Sequence, residues 1–151
     1  MNPQALTQNV KIGKISSGKV HKQYPLMGMT GRSSVVHFHS VTHWTYTGKQ
    51  MNGVRLVQIH PEAAKKAGIK NGDEIIVESP RGAITGTALV WSGIREDTIF
   101  IPGWFGPGQK MAEEFGTPYY ESVNILIDKQ YYDNLSGQEA FKCFACRVKK
   151  A

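Results

Sequence analysis

The chain has 151 residues, of which 40% are hydrophobic and 20% charged, and its formal net charge at pH 7 is +6. This length and apolar content predict one domain with its own buried core. The Lys and Arg residues are scattered, so the charge favours an anionic ligand or a protein partner and not nucleic acid. No apolar stretch reaches the roughly 18 residues of a membrane span, and residues 1–18 lack a signal-peptide core, so we expect a cytoplasmic protein without direct membrane insertion.

The folded domain is expected to cover residues 21–151. Residues 1–20 have little to bury and are expected to form a flexible arm or linker. A short apolar strand, predicted at 24–29, is followed by Thr30, Gly31 and Arg32. A glycine lets the backbone approach a ligand closely, and the neighbouring guanidinium suits an anion. This strand end is therefore a candidate binding site.

Polar side chains are dense in the segment after this strand. Hydroxyl and imidazole groups occur at His37, His39, Ser40, Thr42 and His43. Such donors suit an oxygen-rich anion that carries a flat ring. Two alternatives stay open, since the three histidines could bind zinc or could be surface histidines without a ligand.

The middle of the chain has the clearest secondary-structure pattern. Alternation of apolar and polar residues at 54–59 predicts a strand. Residues 60–68 predict a short helix, because proline stands at the first helical position, glutamate in the first turn, lysines in the last turn and glycine just past the end. Ile- and Val-rich strands are then predicted at 74–79 and 83–91.

The last third of the chain adds a short helix at 109–115 and strands at 97–102, 123–127 and 141–148. About seven short strands and two short helices result, without room for long crossover helices, so the fold class is mostly β and closed as a barrel. Cys143 and Cys146 form a single CxxC in the terminal strand. Without a second pair, strand packing is expected there rather than a metal or redox site.

Several of these segments occur together in one known family. In chain order they are TGR at 30–32, HFHS at 37–40, IHPEAAKKAGIKNGDEIIVESPRG at 59–82, VNILI at 123–127 and DNLSGQEAFK at 133–142. Over residues 24–149 the chain resembles the C-terminal molybdopterin-dinucleotide-binding domain of the dimethyl sulfoxide reductase superfamily of molybdenum and tungsten oxidoreductases. The resemblance implies a double-psi β-barrel of the aspartate-decarboxylase-like type.

The resemblance also implies a cofactor, molybdopterin guanine dinucleotide, and the residues that contact it. In the family the strand-end segment touches the pterin, a second segment runs beside the pterin and its phosphate, an asparagine pairs with the pterin, and a basic residue lies nearby. The matching positions here are Thr30, Gly31, Arg32, His37, His39, Ser40, Thr42, Asn124 and Lys142. No catalytic residue and no metal ligand is expected in this chain.

The resemblance implies a larger partner as well. The metal, molybdenum or tungsten, of a bis-dinucleotide cofactor would be held mainly by another domain, so this chain is not expected to catalyse alone. It is expected to be either a separate small subunit or the C-terminal domain of a long catalytic chain. Its compartment would be the periplasm if an exported partner or a longer precursor carried it.

Less specific interpretations remain for the individual residues and for the whole chain. Arg32 could pair with a carboxylate such as Glu121. Asn124 could be a turn or bulge residue that satisfies backbone groups. The barrel as a whole could be an adaptor module that recognises a protein partner, although such a role leaves the TGR and HFHS segments unexplained.

Overall fold

The computed structural model describes residues 22–32, 54–103, 113–114, 116, 119–128, 133, 135–139 and 142–151. Its strands are β1 (Leu26–Gly31), β2 (Leu56–Ile59), β3 (Glu74–Glu78), β4 (Ala83–Val90), β5 (Thr98–Pro102) and β6 (Phe144–Lys150). The α-helix α1 is Pro61–Lys66, and a 3-10 helix is formed by Val123–Leu126.

The strands close into a barrel in the order β1-β5-β2-β4-β3-β6. Two neighbouring pairs are parallel, namely β1 with β5 and β2 with β4. The remaining neighbours are antiparallel. Each parallel pair joins strands that are not consecutive in sequence, and two such connections within one closed barrel are the topology of a double-psi β-barrel. The mostly β, double-psi fold expected from the sequence is confirmed.

The strand directions bring specific strand ends together. Because β1 and β5 are parallel, Gly31 at the end of β1 lies beside Pro102 at the end of β5. The pairings around the barrel then place the ends of β1, β3 and β5 with the starts of β2, β4 and β6. We call this the site end. The helix α1 follows the last residue of β2 and therefore lies at the other end, the helix end.

The core of the barrel is formed by alternate residues of the strands. Such alternation follows from the two-residue period of a strand, which sends successive side chains to opposite faces. The core side chains that are at most 1% exposed include Val57, Ile59, Ile75, Val77, Ile84, Ala88, Ile99, Ile101 and Cys146. The outer face of β6 is charged, and there Glu78 accepts contacts of 2.6 Å from both Arg147 and Lys149.

The two cysteines are free thiols at the start of β6. Cys146 is fully buried in the core, and Cys143 lies one residue before the strand begins. Burial raises the pKa of both thiols, so both stay protonated at neutral pH. The interpretation of Cys146 as an ordinary packed side chain is confirmed.

The helix α1 begins and ends as its sequence predicts. His60 is the N-cap, and its Nδ1 accepts a hydrogen bond of 3.2 Å from the N–H of Glu62. Pro61 occupies the first helical position, where a missing N–H costs nothing. At the other end Gly68 has a φ of 68°, and the N–H of Ile69 bonds back to Ala64 at 2.9 Å. This pattern is the Schellman motif that closes many helices.

The terminal strand predicted at 141–148 is observed as Phe144–Lys150, and two other predicted strands also differ from the observed elements. The strand predicted at 123–127 is a 3-10 helix, because the hydroxyl of Ser122 accepts from the N–H of Asn124 and the N–H of Ile127 bonds to the Asn124 carbonyl. Among the described residues the closed barrel therefore has six strands, where about seven were predicted. The first strand continues through Gly31 and does not stop at residue 29, because its last residues pair with β5.

Some predictions fall on residues that the structure does not describe. Residues 1–20 lie outside the described ranges, so the arm and the boundary at residue 21 stay predictions. Within the helix predicted at 109–115, only Glu113 and Glu114 are described, and both are helical. In the described part of the chain no helix has both the length and the apolar character needed to cross a membrane.

Candidate cofactor-binding site

A hydrogen bond joins two of the predicted site residues at the site end of the barrel. The Nζ of Lys142 donates to the carbonyl oxygen of Thr30 at 3.0 Å, although 112 positions separate the two residues in sequence. Thr30 is the second-to-last residue of β1, and Lys142 lies just before β6. The antiparallel pairing of β1 with β6 brings them together.

Gly31 is enclosed by its neighbours on β5. Its carbonyl oxygen accepts a hydrogen bond of 2.8 Å from the N–H of Gly103. A Cβ at Gly31 would lie 2.5 Å from a ring carbon of Phe100, which is far inside van der Waals contact. The structure thus gives a packing reason for this glycine, in addition to the close ligand approach predicted from the sequence.

Two predicted cationic residues are exposed at this end. Arg32 follows the last residue of β1 and is exposed, as is Lys142. One oxygen of the Glu121 carboxylate accepts hydrogen bonds from the N–H and the hydroxyl of Thr85, at 3.2 and 3.1 Å. The role of Arg32, as an anion contact or as the partner of a carboxylate, stays a prediction. Two exposed cations beside backbone groups form a surface suited to an anion.

Asn124 lies in the 3-10 helix next to this strand end. Its backbone N–H and carbonyl are both used inside the helix, and its side chain is exposed. The preceding residue, Val123, lies near Gly103, since a Cβ at Gly103 would be 3.9 Å from Val123 Cγ1 and 3.4 Å from the Gly31 oxygen. The structure therefore brings the helix that carries Asn124 beside the end of β1.

The side chain of Asn124 is exposed and makes no hydrogen bond to another residue that the structure describes. Asn124 is a turn residue, as the alternative expected, because its carbonyl accepts a hydrogen bond from the N–H of Ile127 in the 3-10 helix. The contact of its side chain with a pterin stays a prediction. An exposed amide offers both a donor and an acceptor, which is the pattern that a pterin edge requires.

The remaining predicted contacts lie outside the described residues. These are His37, His39, Ser40 and Thr42, and His43 of the alternative zinc site lies there too. Within the described ranges no group of three or more His, Cys, Asp or Glu side chains is arranged to hold a metal ion.

Sequence reasoning missed one residue of this region, Arg55. It precedes β2, yet its side chain is fully buried. Its guanidinium contacts the segment that leads to Asn124, through the carbonyl of Glu121 and the ring of Tyr120. A signal was present, because position 55 is in phase with the buried positions 57 and 59 of the following strand.

A cavity at the helix end is separate from these residues. It has a volume of about 410 Å³ and lies between α1 and the starts of β1 and β5, with Leu26, Ala63 and Asp97 in its wall. The strand directions put this cavity at the opposite end of the barrel from Lys142. It does not belong to the candidate site.

A family model described as "Molydopterin dinucleotide binding domain" matches residues 26–145 of the chain. The chain belongs to this family. The resemblance to the dinucleotide-binding domain of the dimethyl sulfoxide reductase superfamily is thereby confirmed. The matched range includes the ends of β1 and β5, the 3-10 helix and Lys142, which are the elements that meet at the site end.

Curated relatives of this family member are much longer than the chain. Dopamine dehydroxylase of Eggerthella lenta is 32% identical over 131 residues, which cover 86% of this chain and 13% of that protein. The molybdopterin-containing subunit of the arsenate respiratory reductase of Shewanella sp. (strain ANA-3) is 40% identical over 90 residues, covering 57% of this chain and 10% of that protein. The chain spans only this small share of the relatives it matches.

A solved structure with the same fold is acetylene hydratase from Pelobacter acetylenicus. It superposes with a TM-score of 0.77 at 21% sequence identity and covers 91% of this chain. This chain accounts for 20% of that structure. At this level of identity the likeness concerns the barrel fold alone.

Proposed function

We propose that this chain binds molybdopterin guanine dinucleotide and completes one side of the cofactor cleft of a larger molybdenum or tungsten oxidoreductase. Membership of the dinucleotide-binding family supports the cofactor class. The observation that carries the proposal is the meeting of Lys142 with the end of β1, next to Arg32 and to the helix of Asn124. Exposed cations suit a pyrophosphate, and an exposed amide suits a pterin edge.

The residues proposed to contact the cofactor are those predicted from the sequence. Arg32 and Lys142 would face the anionic part, and Asn124 would pair with the pterin, with backbone groups of Thr30 and Gly31 alongside. His37, His39, Ser40 and Thr42 are proposed to line the pterin and phosphate. When bound, the cofactor would supply the redox chemistry at its metal, while this chain would bind and orient it.

The proposal includes a larger catalytic partner. The long relatives support it, since each contains a segment like this chain within a much longer protein. The partner would supply the metal ligand and the substrate site, either as a separate subunit or within the same polypeptide. The compartment would then be that of the catalytic chain.

The first test is an amide chemical-shift titration of the 151-residue chain with molybdopterin guanine dinucleotide released from a purified molybdoenzyme. We expect saturable shifts at residues 30–42, Asn124 and Lys142. GDP and CDP serve as probes of the guanine preference, with larger shifts expected for GDP. An unchanged spectrum with the authentic cofactor, together with capture of a chain without molybdopterin, would favour the adaptor alternative.

Variants sharpen this test. Arg32→Ala, Lys142→Ala and Asn124→Ala are each expected to weaken cofactor binding about tenfold, which corresponds to the loss of one charge-assisted or amide contact. The matched control is Lys66→Ala, which removes an exposed lysine from α1 at the helix end. If Lys66→Ala weakened cofactor binding equally, the effect would reflect the overall positive charge of the chain and not contacts at the site. Unfolding of the site variants would mark their residues as structural.

A further inference from the structure

Arg55 is a charged residue in the interior of the barrel. Its side chain is 0% exposed, and its backbone carbonyl accepts from the N–H of Thr87 in β4 at 2.8 Å. Burial lowers its pKa to about 10, although electrostatic interactions with Glu121 and Tyr120 act in the opposite direction. The guanidinium thus remains protonated at neutral pH. A buried cation requires compensating partners, because its desolvation is costly.

The partners of Arg55 lie on two different parts of the chain. Its Nη1 donates to the carbonyl of Thr85 in β4 at 3.1 Å. Its Nη2 donates to the carbonyl of Glu121 at 2.5 Å, and its Cζ lies 4.9 Å from the centroid of the Tyr120 ring. A single planar group therefore connects the wall of the barrel to the segment that precedes the 3-10 helix.

A second set of hydrogen bonds joins the same two parts of the chain, β4 and the segment before the 3-10 helix. One carboxylate oxygen of Glu121 accepts from both the N–H and the hydroxyl of Thr85, at 3.2 and 3.1 Å. Thr85 thus contacts the guanidinium through its carbonyl and Glu121 through its N–H and hydroxyl. Thr85 and Glu121 are thus joined both directly and through the guanidinium of Arg55.

The barrel wall leaves space for this side chain. A Cβ at Gly86 would lie 2.9 Å from Cγ2 of Val57, 3.3 Å from the Arg55 carbonyl oxygen and 3.5 Å from the Arg55 Cδ. A glycine beside Thr85 therefore lets the Arg55 backbone and stem lie close to β4. The position of the guanidinium is fixed by packing as well as by hydrogen bonds.

The segment held by Arg55 leads directly into the helix that carries Asn124. Ser122 caps this helix, while Val123 and Leu126 are buried. A Cβ at Gly82 would lie 2.4 Å from Cγ2 of Ile125, so the helix also touches the turn before β4. The helix has only four residues, and a helix so short depends on its anchors rather than on its own stability.

We propose that Arg55 is a positioning residue that holds residues 119–127 against the site end of the barrel and thereby fixes Asn124 for cofactor binding. This inference rests on the proposed function. Arg55 itself does not touch the cofactor in this proposal. It acts through the Glu121 carbonyl and the Tyr120 ring, three and four residues before Asn124.

A purely structural role makes a different prediction. An arginine that only stabilises the barrel would, when replaced, lower the protection of all amides together. A positioning residue would selectively release its own segment, because local opening occurs at a lower free energy than global unfolding. Native-state hydrogen exchange separates these cases, residue by residue.

The experiment compares Arg55→Met and Arg55→Lys in the 151-residue chain. The reporters are the amides of Ile125 and Ile127, which bond to Ser122 and Asn124, and the barrel amide of Ala88, which bonds to Asp73. In Arg55→Met we expect exchange at the two helix reporters to rise at least about tenfold more than at Ala88. Arg55→Lys retains the charge without the planar fork and should lie between Met and wild type.

Cofactor binding is measured on the same proteins with molybdopterin guanine dinucleotide. Arg55→Met is expected to weaken binding about tenfold, and Arg55→Lys less, while Asn124→Ala weakens binding without raising exchange at the reporters. Unchanged exchange in Arg55→Met would overturn the proposal. So would an equal rise at all three reporters, or a selective rise with unaltered cofactor affinity.

Thr85→Val keeps the test decisive if Arg55→Met fails to fold. It removes the hydroxyl contact to Glu121 from an exposed position and leaves the guanidinium in place. A smaller, still selective rise in exchange at Ile125 and Ile127 would show that the direct Thr85–Glu121 contact also holds the segment. Arg55→Lys then decides the role of the guanidinium, because wild-type exchange at both amides in that variant would refute the proposal. If the wild type does not bind the cofactor, the proposed function fails, whereas the exchange result still reports whether Arg55 holds the segment.

Discussion

Two glycines of β1 lie against aromatic rings from the neighbouring strands. A Cβ at Gly28 would lie 2.4, 2.5 and 2.9 Å from three ring carbons of Phe144 on β6. At Gly31 the nearest ring carbon of Phe100 on β5 would be 2.5 Å away. The two rings occupy the space that side chains at Gly28 and Gly31 would need. The small residues of β1 therefore pack against large aromatic residues of β5 and β6. Close packing of this kind leaves little room for an added methyl group.

Gly28→Ala is expected to lower the free energy of unfolding by about 1–3 kcal/mol, the usual cost of overpacking in a tight core. Urea unfolding measures this loss. The control is Gly103→Ala, because a Cβ there would meet its nearest atoms at 3.4 and 3.9 Å, which are ordinary contacts. Equal losses in the two variants would mean that the ring of Phe144 moves aside easily.

The carboxylate of Asp97 has a strongly perturbed pKa. Hydrogen bonds from Arg95, at 2.9 and 2.7 Å, and from the hydroxyl of Thr98, at 2.9 Å, lower its pKa to about 2. An aspartate in an unfolded chain has a pKa of about 3.9. The stabilisation is therefore complete above the unfolded value and is lost as the pH falls toward the folded one.

Asp97→Asn should remove this part of the pH dependence. We expect the urea midpoints of wild type and variant to differ near pH 6 and to converge as the pH falls from about 4 to about 2. Arg95→Gln should reduce the same pH dependence, because it removes the guanidinium that lowers the pKa of Asp97. A difference that is constant across this range would assign the effect of Asp97→Asn to packing.

At the scale of elements, α1 depends on the backbone conformation just past its end. Gly68 has a φ of 68°, and a Cβ there would meet nothing within 4 Å. Space is therefore no obstacle to a side chain, but the left-handed backbone is. Asparagine tolerates this conformation better than alanine.

Gly68→Ala is expected to cost about 1 kcal/mol of stability, the approximate penalty of a left-handed alanine. Gly68→Asn should cost clearly less, which makes the pair a matched test of the backbone. Thermal unfolding followed by circular dichroism compares the two. An asparagine variant as unstable as the alanine variant would contradict the assignment to φ.

The elements also show what the sequence could and could not predict. α1 was predictable because its proline, its acidic and basic turns and its terminal glycine are local signals. The 3-10 helix was not, because burial of Val123, Leu126 and Ile127 fits a buried strand as well. Its conformation is set by the Ser122 cap and by contacts with the barrel. The contacts of Arg55 are with Thr85 and Glu121, which are far away in sequence.

In the predicted site, too, some features follow from the sequence and others only from contacts between distant strands. The motif TGR and the positions of Asn124 and Lys142 were readable through the family resemblance. That Lys142 reaches the Thr30 carbonyl follows only from the pairing of β1 with β6. The packing of Phe100 on Gly31 is likewise a consequence of parallel pairing with β5. Contacts between distant strands cannot be obtained from local patterns.

At the scale of the whole molecule, β6 closes the barrel. It pairs with β1 through Leu26, Met27 and Gly28, and with β3 over four residue pairs that end at Ile75 and Lys150. Without β6, both β1 and β3 would present an unpaired edge. Such edges promote association between chains.

Deletion of residues 147–151 is expected to abolish cooperative unfolding and to produce aggregates, because all pairing between β3 and β6 is lost. Urea unfolding and size-exclusion chromatography measure the two effects. The control deletion removes Ala151 alone and loses one hydrogen bond of 3.0 Å to Glu74. A monomeric, cooperatively folded product of the larger deletion would show that the five other strands suffice.

The large sequence separation between Lys142 and Thr30 determines how long after the synthesis of β1 their contact can form. Translation must add 112 residues after Thr30 before Lys142 exists. At about 5–20 residues per second this takes roughly 5–20 s. Throughout that interval β1 has been made but its partner β6 has not. A cofactor contact that needs both Thr30 and Lys142 in place can therefore form only after this region has been synthesised.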